Sequence, residues 1–200
     1  RGAIGFKNRV FYASGTRVFS GTIPLDQPNE RTVLTGLTSV TIVGVAVEHP
    51  MKVGPDRNLY VAHGNKIGKI TAINTTVGNI ANFFTYENDI VLRDLESDGR
   101  YLVVLGDHNT RMAKESSYPH RCFVDFLNLQ SAQSIQRWDF DDRQGSALER
   151  GEEEIIVTGA DAIYDCTVSQ RLRTILPMTG ETVLAAGQTT AFNVSTSVGA

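Results

Sequence analysis

The chain has 200 residues, 41% of them hydrophobic and 20% charged, with a net charge of −3. That suits a single globular domain long enough to bury a core. It excludes the basic field that draws nucleic acid or an anionic membrane by charge alone, and no apolar run has the length of a membrane-crossing helix.

The first residue is Arg1 and no signal peptide is visible, the start expected of a processed or excised product. In chain order, the first element is a hairpin, RVFYASGTRVFSGTI, centred on Gly15. It sits so close to Arg1 that the innermost strand of the first unit is expected to be missing. Strand-like text follows in TVLTGL and SVTIVGVAVE. The hairpin pattern then returns as NLYVAHGNKIGKI around Gly64, as YLVVL before Gly106 and as IIVT before Gly159. These glycines stand 49, 42 and 53 residues apart. Each flank is a short run of β-branched, aromatic or large aliphatic residues, and glycine with polar neighbours is turn chemistry.

Between the hairpins lie ANFFTYE, DIVLRDLES, SIQRWDF and RLRTILPM, and the tail adds ETVLAAG and TAFNVSTSV. That makes about four strands per repeat of roughly 48 residues, the construction of a β-propeller blade. No segment carries a sustained helical apolar stripe. The expected fold is all-β: one propeller domain over residues 1–200 with about four blades of four antiparallel strands. It is either closed by the C-terminal strand or part of a larger ring.

Few residues invite chemistry. The third hairpin is interrupted by a long polar loop from Asp107 to Arg121, and long loops in compact domains carry contacts or function. Arg111, Lys114, Tyr118, His120 and Arg121 are its candidate contact residues. Trp138, the only tryptophan, joins them as a candidate stacking or packing residue. The acidic stretch from Trp138 to Glu154 reads as a second contact loop from Asp139 onward. Asp107, His108 and His120 could approach a metal, and Asp139, Asp141 and Asp142 could approach calcium, but neither set has a complete ligand pattern. His49 and His63 read as polar blade-edge residues. Asp107, Asp125 and Asp165 are the acids on strands, each explicable as a blade-edge residue. Cys122 and Cys166 are expected to be buried thiols. No catalytic, cofactor or metal motif is present, so no enzyme activity and no cofactor are expected.

NLYVAHGNKIGKITAI, followed by DIVLRDLESDGRYLVVLGD and CFVDFLNL, resembles β-propeller structural proteins of tailed bacteriophages. The resemblance implies a tail or capsid-associated virion component, assembled in the host cytoplasm, without enzyme activity. Its partners would be other virion proteins or copies of itself. The alternative is a lectin-like propeller that binds carbohydrate or a host receptor.

Overall fold

The computed structural model describes residues 2–24, 35–41, 49–71, 80–108, 121–151, 154–166 and 173–177. Four four-stranded sheets follow one another along the chain. The first holds β1 (Gly2–Phe6), β2 (Arg9–Ser14), β3 (Arg17–Thr22) and β4 (Thr35–Thr41). The second holds β5 (Met51–Val53), β6 (Leu59–His63), β7 (Lys66–Ile70) and β8 (Ile80–Thr85). The third holds β9 (Ile90–Ser97), β10 (Tyr101–His108), β11 (Cys122–Asn128) and β12 (Ser134–Phe140). The fourth holds β13 (Gly145–Arg150), β14 (Ile155–Gly159), β15 (Ala162–Cys166) and β16 (Arg173–Pro177). Every sheet is an antiparallel meander in chain order. These are propeller blades, with β1, β5, β9 and β13 innermost and packed on one another in succession.

The meander forms because the middle strands carry the apolar text and short turns join them. Gly15 and Gly64 lie in the β2–β3 and β6–β7 turns with φ of 57° and 65°, a region that glycine enters without a Cβ penalty. Gly106 differs. It lies inside β10, because that strand continues to His108, and a Cβ there would meet the Phe123 ring. Its constraint is close packing, not a turn.

Three apolar clusters fill the spaces between blades. Phe11, Ala13 and Val18 meet Leu59, Val61 and Ile70 between the first and second. Tyr60, Ala62 and Ile67 meet Leu92, Leu102, Val104 and Phe123 between the second and third. Val103, Leu105 and Val124 meet Leu148, Val157 and Tyr164 between the third and fourth. Alternate residues of β10 therefore serve opposite neighbours, and β6 and nearly all of β10 are buried without interruption. In β2, β14 and β15 burial alternates instead. Among the described residues, the two middle blades have a neighbouring blade on both faces and the two end blades on one. No comparable packing joins β13 back to β1 among the described residues, whose blades form an arc.

Two sequence expectations change. The innermost strand of the first blade is present as β1, which pairs with β2 from Gly2↔Ala13 to Phe6↔Arg9. The acidic stretch from Trp138 to Glu154 contains a strand, β13, rather than loop alone. SVTIVGVAVE is described only as far as Thr41, where it completes β4, and the tail strands ETVLAAG and TAFNVSTSV lie outside the described residues.

Candidate functional site

The hairpin turns β2–β3 and β6–β7, and the links between blades, share one rim of the arc, and polar side chains fasten them. His49, in the link before β5, places Nε2 2.7 Å from the Gly15 carbonyl and Nδ1 3.2 Å from that of Ala62. Asn65 donates from Nδ2 to the Tyr86 carbonyl at 2.6 Å, while the Tyr86 amide donates to Asn65 O at 2.9 Å. Asp142, in the link before β13, is buried and accepts from the amides of Ala160, Asp161 and Ala162 in the β14–β15 turn. Each link between blades is thus latched to a hairpin turn.

The long loop leaves this rim from the third blade. The described residues stop at His108 and resume at Arg121, so Arg111, Lys114, Tyr118 and His120 lie outside them. The loop's two roots are tied by the His108 amide, which donates to the Arg121 carbonyl at 2.8 Å. Arg121 is exposed there. Trp138 is on β12, opposite Val124, half-buried against the core between the third and fourth blades. Its Nε1 is buried with no acceptor among the described residues. The structure therefore places Arg121 at the loop root and uses Trp138 in packing.

The candidate metal ligands diverge. Asp107 and His108 are consecutive on β10 and engage opposite neighbours. Asp107 accepts from Arg93 Nε at 2.5 Å and from the Gly145 amide at 2.9 Å. His108 Nδ1 faces Asp89 Oδ2 at 3.0 Å, and its Nε2 lies 3.4 Å from Arg137. Arg137 in turn lies 3.9 Å over the Phe123 ring and pairs with Asp139. Asp142 spends its oxygens on backbone amides, so Asp139, Asp141 and Asp142 do not converge. Among the described residues no group of three metal-ligating side chains comes together.

The strand acids are also separate. Asp125 is buried between the second and third blades, accepting from the Tyr86 hydroxyl at 2.9 Å and from Ser134 Oγ at 2.6 Å. Burial pushes its carboxyl above the ordinary carboxylate range despite these hydrogen bonds. Asp165 lies on the other face of β15 from Tyr164, towards the open end of the arc. Cys122 and Cys166 are buried free thiols in one cluster. Burial raises both, Cys166 to about 12.

A concave feature of the arc lies on its axis. A cavity of about 330 Å³ is lined by Gly2, Ala3, Pro50, Met51, Arg93, Asp94 and Ser146. All four innermost strands or their leading links contribute. The sequence reading missed this site because it missed three of those four strands.

Fold and axial cavity together define a β-propeller arc. Comparison with known proteins agrees on the fold and stops there. No family model matches the chain, and no curated protein does. A functionally unknown protein from Desulfotomaculum acetoxidans aligns at 17% identity and a TM-score of 0.53, covering 82% of this chain and 52% of that one. The luciferin-regenerating enzyme aligns at 10% identity and a TM-score of 0.53, covering 84% and 56%. The Pan2 WD40 domain of Neurospora crassa aligns at 11% identity and a TM-score of 0.52, covering 86% and 50%. The chain spans about half the length of the structures it matches.

Proposed function

We propose that this chain is a non-enzymatic docking module that works inside a larger assembly by completing a propeller ring. The carrying observation is the mismatch between composition and cover on the end blades. The outer face of the first blade presents Val10, Tyr12 and Phe19, with the two rings stacked at 4.9 Å. The outer face of the fourth presents Ile156 and Ile163. These are interior residue types left half-buried, and among the described strands no second blade packs on that face. The three internal interfaces show what such a face accepts, namely another blade. Two arcs joined at both ends would have the length of the propellers matched above, so the occupant supported best is a second copy. In that ring the fourth blade of each copy packs on the first blade of the other, a closed two-fold arrangement. The setting implied by the sequence resemblance is the virion of a tailed bacteriophage, where rigid rings are joined by protein–protein contacts.

Light scattering after size exclusion tests this reading. The expected result is a particle of twice the 21.9 kDa chain mass, converted towards monomer by Phe19→Asp. A monomer whose stability is unmoved by Phe19→Asp would refute it.

A further inference from the structure

Two of the polar residues lining the axial cavity sit in β-bulges, and both bulges fall at one position of the repeat. In the third blade the register runs Leu105↔Asp94 and then Gly106↔Leu92, which leaves Arg93 out of the ladder. In the fourth it runs Gly145↔Gly159 and then Ala147↔Thr158, which leaves Ser146 out. Each bulged residue follows the strand partner of a repeat-marking glycine, Gly106 or Gly159. A bulge re-aims the side chain of its extra residue and is common beside binding sites. Here neighbouring blades use the same device to bring an arginine and a serine to one cavity.

The arginine is held and half spent. Its Nε donates to Asp107 Oδ2 at 2.5 Å, and Asp107 is itself fixed by the Gly145 amide. Nη1 and Nη2 have no protein partner among the described residues, and neither does the Ser146 hydroxyl. An oriented guanidinium with a free edge matches the two oxygens of a carboxylate. Asp94 limits the choice. It lines the same cavity, and its carboxylate accepts from the amides of Leu95 and Leu148, although burial pushes it above the ordinary carboxylate range. A ligand bringing two negative charges, such as phosphate, would oppose it. The cavity is at the small end of ligand sites, and Met51 and Pro50 give it an apolar wall.

We infer that the axial cavity binds a single carboxylate group, gripped by the free edge of Arg93 and the hydroxyl of Ser146. The inference does not depend on how the ring is completed. The group could belong to a small organic acid or to a peptide C-terminus, and the test separates the two.

The experiment is NMR of the full chain carrying ¹³C-methyl methionine, because Met51 lines the cavity and gives a local reporter. N-acetylglycine is titrated first, then acetylated tetraglycine with a free C-terminus, then inorganic phosphate. A saturable Met51 shift with N-acetylglycine in the millimolar range is expected. Arg93→Lys keeps a charge beside Asp107 but loses the fork, and should weaken binding about tenfold or more. Ser146→Ala leaves the fold's hydrogen bonds intact and should weaken it about three- to tenfold. Tighter binding of the tetrapeptide would assign a chain terminus, and equal or weaker binding a free acid. Absence of any Met51 shift, a preference for phosphate, or unchanged affinity in Ser146→Ala would overturn the inference.

Discussion

Replacing Asp142 with alanine tests whether the latches between blades carry stability. One carboxylate serves four backbone amides and a hydroxyl. Oδ1 accepts from Gln144 at 3.1 Å and from Ala160 at 2.9 Å, while Oδ2 accepts from Asp161 at 3.1 Å, from Ala162 at 3.2 Å and from the Tyr164 hydroxyl at 3.1 Å. The bonds to Ala162 and Tyr164 are buried, and the others lie nearer water. An orphaned buried donor costs about 1–3 kcal/mol. The Ala162 amide loses its acceptor and the Tyr164 hydroxyl keeps only the Asp141 carbonyl at 3.4 Å, which gives a loss of about 2–6 kcal/mol, and the part-exposed bonds add little because water replaces the acceptor. With a urea slope of about 2 kcal/mol per molar, the midpoint should fall by about 1–3 M. Asp142→Asn keeps one acceptor oxygen and should lose roughly half as much. The assay is urea unfolding followed by the fluorescence of Trp138, on the strand leading into this link. A fall of less than about 0.5 M for the alanine variant would refute the claim that this side chain ties the third blade to the fourth.

Three further outcomes are expected. Asp125 has a raised carboxyl in the fold, chiefly from burial. The folded state therefore holds its proton more tightly than the unfolded chain does. That stabilisation is full below the unfolded value, ordinarily about 3.9, and is lost as pH rises through the folded one. Asp125→Asn should flatten the fall in urea midpoint as pH rises above the unfolded value, and an unchanged slope would count against it. Gly106→Ala forces a methyl group against Phe123 and should cost about 1–3 kcal/mol, read as a lowered thermal midpoint; a neutral result would show that the ring yields freely. Cys122 and Cys166, buried and raised, should resist a thiol reagent in the native protein and react together once urea unfolds it. Fast labelling of either before unfolding would contradict their burial.

By itself the sequence determined the repeat, the strand text and the propeller class. β-Branched and aromatic runs such as VFYA, LYVA and IIVT favour a pleated, buried surface wherever they fall, and Gly15 and Gly64 satisfy turns through local φ alone. Those are short-range preferences, so they can be read from adjacent residues. Tertiary structure decided the rest. β1, β5 and β13 escaped notice or were read as loop because an innermost strand lines the axis. Its residues are small, charged or few, as in GAIGF, MKV and GSALER, and its pairing comes from the neighbouring strand. Gly106 reads as a turn residue in the repeat but is a packing residue, because Phe123 reaches it across the sheet. The axial pairing of Arg93 with Ser146 was beyond the sequence for the same reason. It depends on two bulges in separate blades, and a bulge exists only once a partner strand has fixed the register.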